Sequence, residues 1–410
     1  MSYVFKHLPP FAADYSGVAS AFHDLGGLVV IHDASGCTGS FTGYDEPRWF
    51  SGRSSVYCSG LREFDAIMGN DERLLENIRE LTRAREFRFV AIVGSPVPML
   101  VGFDFDGFAN LVEHETGIPA FGFPTTGLEG YHRGLAAAYL ALARRFVVDS
   151  PARARSVNIL GASPLDNFDA ESVRQLRACL AELGLPVCSV WGQGNDFAAL
   201  ECASAATVNL VVASSALPLA RYMEKRWSIP YVECLPIGSP GRRRLKAALS
   251  TALGVALDGG KGDPPDDGRS VESLRGAVCL IGEQMFANAV RATLARRVPE
   301  LTVTVASFFA WDAGAARAGD ACLANESAAI DFLAEGRFDA VVGDPLFVDL
   351  LPAKERPAFV PEPHYAVSGR LHRDHTQALR LGPALSGFVE QIIDAVKTRR
   401  SAGAEKVVRQ

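Results

Sequence analysis

Short apolar runs and amphipathic stretches alternate along most of this chain. LVVI (28–31), RFVAIVGS (88–95), IPAFGFPTTG (118–127), SVNILGAS (156–163), PVCSVWG (186–192), TVNLVVASS (207–215), IPYVE (229–233), AVCLIGE (277–283), LTVTVAS (301–307) and FDAVVGD (338–344) read as buried strands. Apolar residues recur at helical spacing over 74–86, 106–117, 131–146, 169–184, the stretch ending at Arg297, 323–336 and 382–399. Gly184 stands where a helix C′ glycine belongs, and Pro186 stops the helix behind it. Strands that alternate with helices build parallel sheets, so the expected fold class is α/β, with three Rossmann-like domains of parallel sheet flanked by helices. The rhythm divides into residues 1–153, 154–256 and 271–400. LDGGKGDPPDDGRS (257–270) is a Gly-, Pro- and Asp-rich linker, and 401–410 is a frayed tail.

Composition narrows the partners. A chain of 410 residues with 48% hydrophobic and 21% charged positions has enough apolar surface for several cores. Its net charge of −6 gives no basic field for a polyphosphate, so the partners expected are a small molecule and protein, not nucleic acid. No apolar run approaches the roughly 18 residues that a bilayer needs, and the N-terminus has no signal-peptide order, so the expectation is a cytoplasmic protein with no membrane partner.

Candidate chemistry concentrates between Gly27 and Gly60. The strand LVVI runs into a Gly- and Ser-rich loop carrying Cys37, and a second Ser-rich turn carries Cys58, so both thiols are expected on irregular backbone at a sheet end. Of the eight cysteines, Cys179, Cys188, Cys202, Cys279 and Cys322 read as small core hydrophobes, and Cys234 is a weaker candidate. Val93-Gly94-Ser95, Leu160-Gly161-Ala162 and Ile281-Gly282-Glu283 end strands in glycine turns, yet none extends to G-x-G-x-x-G. The P-loop, H-E-x-x-H, C-x-x-C and G-x-S-x-G patterns are also missing. The chain thus has no nucleotide site of its own that sequence can identify.

The order of these features resembles the component 1 family of nitrogenase and nitrogenase-like reductases, which includes the nitrogenase α and β subunits, dark-operative protochlorophyllide reductase and the nickel-tetrapyrrole reductive cyclase. IHDASGC (31–37) matches the family's strand running into a Gly-Cys loop, and CSGLREFDAIMGNDERLLENI (58–78) matches its second cysteine segment. LRACLAELGLPVCSVW, TVNLVVASS and ARYMEKRWSIPYVE are similar to the middle domain of the nitrogenase α subunit. The resemblance implies that Cys37 and Cys58 ligate iron and that Gly36 and Ser95 help to hold an iron-sulfur cluster. A 4Fe-4S cluster takes about four ligands, so two cysteines per chain imply a dimer interface, formed by a homodimer or with a related second component 1-type chain. It further implies an electron-transfer partner, a P-loop iron protein that hydrolyses ATP, and a small-molecule substrate.

Two departures narrow the reading. Ser95-Pro96-Val97-Pro98 stands where nitrogenase places a third cluster cysteine, and Ala213 falls where the cofactor-anchoring cysteine would be, so dinitrogen is disfavoured as substrate. Asp33 and Ser95 are candidate substitute ligands. His364 in PEPHYAVSGR lies near the position of the family's cofactor histidine and is the candidate catalytic residue; a loop histidine bonded to backbone is its structural alternative. DEPRW (45–49) reads as an interface or donor-docking segment, or as a turn with Arg48 paired to Asp45 or Glu46. The segments 95–107 and 123–134 are expected near the cluster pocket. Three functions stay open: an oxidoreductase component, a non-catalytic scaffold for metallocofactor or tetrapyrrole assembly, and a cluster-free small-molecule binder.

Overall fold

A computed structural model describes residues 6–69, 71–257, 274–369, 371 and 384–408. The segment read as a linker lies, beyond Leu257, outside the described residues. Among the described residues thirteen strands form three wholly parallel sheets. In the first, β1 (Leu28–Ile31), β2 (Ser55–Cys58), β3 (Val90–Val93) and β4 (Ala120–Phe123) lie in the order β2-β1-β3-β4. β5 (Val157–Ala162), β6 (Val187–Gly192), β7 (Val208–Val211) and β8 (Tyr231–Glu233) give β6-β5-β7-β8. β9 (Gly276–Ile281), β10 (Leu301–Ser307), β11 (Ala321–Cys322), β12 (Ala340–Gly343) and β13 (Ala358–Pro361) give β11-β10-β9-β12-β13. The α/β class with three helix-flanked parallel sheets is therefore the observed fold. β1, β3, β5 and β7 are buried along their whole length, as continuous apolar strands covered on both faces should be.

In each sheet the first strand in sequence, β1, β5 or β9, has neighbours on both sides. The connections leave it in opposite directions and open a crevice at the carboxyl ends of the strands, where ligands bind in open α/β sheets. Helix α1 (Asp14–Phe22), which the apolar pattern does not announce, packs tightly on a later helix, Tyr131–Phe146. A Cβ on Gly17 would run into the Tyr131 carbonyl, and one on Gly134 into that of Asp14. One apolar cluster joins residues of all three sheets, Val29, Leu160 and Ile281 among them.

Three expectations are corrected. Cys58 ends a strand, not a turn: Ser55–Cys58 pairs in register with β1, with Cys58 opposite Ile31. The four residues are half-exposed at a sheet edge and too few to show alternation. Cys202 and Cys322 are exposed, whereas Cys179, Cys188, Cys234 and Cys279 are buried. The closing helix runs Ala384–Val408, past Arg399 and through most of the segment read as a tail. Among the described residues no helix is long and apolar enough to cross a membrane.

Candidate functional site

The two thiols sit at the carboxyl end of the first sheet. α2 (Gly36–Ser40), a short helix, follows β1 and carries Cys37 in its first turn. The Cys58 thiol donates to the Asp33 carbonyl at 3.3 Å, and Gly60 N–H reaches its sulfur at 3.4 Å. The Asp33 carboxylate in turn accepts from Thr38 N–H at 3.1 Å, so one residue ties the two cysteine segments together. Ser59 Oγ meets His32 Nδ1 at 2.9 Å and Asp33 N–H at 3.0 Å. Ser95 is fully buried, and its hydroxyl donates to the His32 carbonyl at 2.9 Å, bracing the same loop from β3. A Cβ at Gly36 would meet nothing within 4 Å, so the backbone there faces open space.

Cys37 is half-buried, and its sulfur accepts a hydrogen bond from the Tyr15 hydroxyl on α1. Burial, and then the charge of Asp33, push the thiol up to about 11, a rise that the Tyr15 bond opposes. Tyr15 carries no signal in the sequence. It reaches Cys37 because the Gly17/Gly134 contact sets the height of α1. Asp14, beside it, holds the 123–134 loop by accepting Thr126 and Gly127 N–H, both at 2.8 Å.

DEPRW is folded inward. Arg48 reaches Glu46 at 2.7 Å, Asp24 at 2.8 Å and the Ser20 carbonyl at 2.8 Å, with Asp45, Glu46 and Arg48 all buried. Burial alone would lower Arg48, but the charge of Glu46 overrides it and keeps the guanidinium ionised. The motif is the paired turn of the two alternatives. What the same end of the sheet does expose is apolar: Phe64, Ile67, Met68 and Leu100 range from 64% to 86% exposed. Phe64, Ile67 and Met68 lie on α3 (Glu63–Met68), a helix with no buried residue.

His364 lies elsewhere, in a crevice between the second and third sheets. It stacks on Phe309 at 4.4 Å, its Nε2 is 3.8 Å from Asp166 Oδ1, and neither ring nitrogen has a hydrogen-bond partner. Burial pulls it down to about 3, so the ring is neutral at physiological pH. Its loop is clamped by Asn167, whose side chain bonds the Pro363 carbonyl and Tyr365 N–H, both at 2.8 Å. The Tyr365 hydroxyl donates to the Tyr44 carbonyl at 2.8 Å, linking this loop to the cysteine segment. Asp166 accepts from the Tyr131 hydroxyl; burial first, and then the charge of Glu283, hold its carboxyl well above the usual range. Asp166, Tyr131 and Glu283 come from different sheets, and the strand pattern does not mark them. Cys234 is a core thiol 3.8 Å from the Gly241 carbonyl, and Ala213 is fully buried.

The chain belongs to the nitrogenase component 1 type oxidoreductase family, whose model matches residues 13–318. It is 29% identical over 183 residues to the nitrogenase iron-molybdenum cofactor biosynthesis protein NifE of Rhizobium meliloti, covering 43% of this chain and 38% of that protein. It is 34% identical over 158 residues to a subunit of the light-independent protochlorophyllide reductase of a Methylobacterium species, covering 36% and 30%. The matched segments thus span about a third of each relative's length. The solved structure of nitrogenase Cp1 at pH 6.5 superposes with a TM-score of 0.69 at 14% identity, covering 97% of this chain and 95% of that one, which places the fold.

Proposed function

We propose that this chain is a subunit of an iron-sulfur reductase in which Cys37 and Cys58 supply half of the ligands to a 4Fe-4S cluster shared with a second component 1-type chain. The observation that carries the reading is an incomplete ligand set facing an apolar surface. Among the described residues no three His, Cys, Asp or Glu side chains converge to hold a metal ion, while the carboxyl end of the first sheet exposes Phe64, Ile67, Met68 and Leu100. The donor chemistry fits: two thiols, a backbone N–H on one sulfur, a phenol on the other, and open space at Gly36. A bound cluster supplies one-electron redox chemistry. Tyr15 orients the Cys37 sulfur, Asp33 and Thr38 fix the loop, and Ser95 braces it. Asp33, bonded to both cysteine segments, is the oxygen donor assigned to a further coordination position.

Electrons come in this reading from a separate P-loop iron protein, and the substrate is a small molecule bound at the His364 crevice, not dinitrogen. Neutral His364 presents a hydrogen bond to it, and Asp166, kept protonated, is the group able to release a proton there. Anaerobic reconstitution of the purified protein with iron and sulfide tests the cluster. Wild type should become brown, and Cys37→Ser and Cys58→Ser should stay colourless; colour unchanged in both variants overturns the assignment. The likeness to NifE favours a second reading, an assembly scaffold. Loaded protein that hands its cofactor to an acceptor, with no reductant-dependent turnover, would select it.

A further inference from the structure

We propose that Cys188 and Cys202 form a thiol pair that a low-molecular-weight disulfide oxidises to an internal disulfide, fastening the short helix Phe197–Glu201 to β6. The pair belongs to the second sheet and its flank, apart from Cys37 and Cys58 on the first, so the inference goes beyond the cluster reading and does not depend on it.

The two cysteines are already in contact. Cys188 lies on β6, the strand at one edge of its sheet, and Cys202 caps the C-terminal end of the helix Phe197–Glu201. The Cys188 thiol donates to the Cys202 carbonyl at 3.7 Å, and Ala205 and Ala206, just beyond Cys202, pack on Cys188. A carbonyl oxygen stands about 2.4 Å from its own Cα, so the Cys202 Cα is within about 6 Å of the Cys188 sulfur. Closure to a disulfide, whose Cα atoms stand roughly 4.4–6.8 Å apart, then asks for rotamer changes at the two cysteines. The turn after Cys202 is pinned in place. Asn158 Nδ2 donates to the Ala203 carbonyl at 2.9 Å, and Arg153 N–H to the Ala205 carbonyl at 2.7 Å. Two reactants held side by side in this way react as one molecule, which favours closure over a second encounter with reagent.

Exposure sets the order of events. Cys202 is exposed, whereas Cys188 is 9% exposed and shielded from a reagent the size of a tripeptide. The Cys202 thiolate attacks one sulfur of the reagent, whose S–S bond breaks, and the first reagent thiolate leaves and takes up the proton that Cys202 gave up. The Cys188 thiolate then attacks the Cys202 sulfur, and the second reagent thiolate leaves with the Cys188 proton. Two protein thiols are oxidised, and the reagent disulfide is reduced to two thiols. Burial raises Cys188 and the charge of Arg153 opposes that rise, favouring the thiolate that the second step needs. Cys179 also feels the charge of Cys234, but both are buried, so neither takes the first step. The bridge anchors a helix that matters to the fold: Phe197 packs on Phe89 at 6.5 Å and on Phe146 at 4.9 Å, a seam between the first and second sheets.

Peptide mass spectrometry of the full-length protein as isolated tests the proposal. The protein is treated with oxidised glutathione, blocked with N-ethylmaleimide under denaturing conditions and cut at Asp196, which lies between the two cysteines. Wild type should give the cross-linked Cys188 and Cys202 peptides as the main product of Cys202, and dithiothreitol should reverse it. Cys188→Ser should stop at glutathione held on Cys202, and Cys202→Ser should leave Cys188 carrying N-ethylmaleimide alone. Wild type that retains glutathione on Cys202, links Cys202 to another cysteine or leaves Cys202 free would overturn the pairing. Glutathione on Cys188 in Cys202→Ser would overturn the order of attack. The deciding result is read on wild type, so poor folding of a variant does not affect it.

Discussion

Cys37 is a thiol whose anion is disfavoured until something binds it. Burial, and then the charge of Asp33, push it up to about 11, so in cluster-free protein it is protonated at neutral pH and should alkylate slowly with iodoacetamide, the rate rising about tenfold per pH unit up to about pH 10. Tyr15→Phe removes the one neighbour that lowers the thiol, so peptide mass spectrometry should show alkylation slowed further; faster alkylation would contradict the Tyr15 contact. His364 and Asp166 have opposite signs. A histidine depressed to about 3 binds fewer protons folded than unfolded, so its contribution to stability is present above about pH 6.5 and is lost as the pH falls toward 3. The melting temperature of His364→Phe should therefore gain on wild type as the pH drops from about 7 to about 4.5. Asp166, held protonated by burial, costs stability as the pH rises above about 3.8, so Asp166→Asn should gain on wild type in the other direction, toward pH 8. The cysteines, as residue types in a Gly- and Ser-rich setting, were legible in the sequence. The groups that tune them were not, because Tyr15 is an ordinary tyrosine until a helix crossing puts it under Cys37.

The helix crossing itself belongs to the elements. Gly17→Ala puts a methyl group into the Tyr131 carbonyl and should cost about 1–3 kcal/mol or more in urea unfolding, with Tyr15 displaced from Cys37. The buried Arg48 network is the other fixed point. Arg48→Ala leaves Glu46 buried without its partner and should cost about 3–5 kcal/mol. α3 behaves oppositely: having no buried residue, it should tolerate Ile67→Lys with little change in the chain's own stability, while dimer formation is lost in size-exclusion chromatography. The continuously apolar strands were readable because burial on both faces leaves an uninterrupted signal, and the helices at 131–146 and 284–297 because their apolar positions recur at helical spacing. β2 was not, because an edge strand of four half-exposed residues looks like a turn.

Across the molecule, sheets sharing one apolar cluster bring Asp166, Glu283 and His364 to a common crevice from distant parts of the chain, with the Tyr131 hydroxyl bonded to Asp166. No single-chain pattern of spacing marks such a site, which is why the resemblance pointed to His364 alone. The Tyr365–Tyr44 hydrogen bond ties the His364 loop to the segment between the two cysteines. Everything proposed for Cys37 and Cys58 depends on the cysteine end being half of a site. Native mass spectrometry of the anaerobically purified protein probes this without intermediates. Two component 1-type chains should carry about four irons and four sulfides between them, with both lost together in Cys58→Ser. A metal-free monomer that stays so after reconstitution with iron and sulfide, alone and with any co-purifying chain, would contradict it.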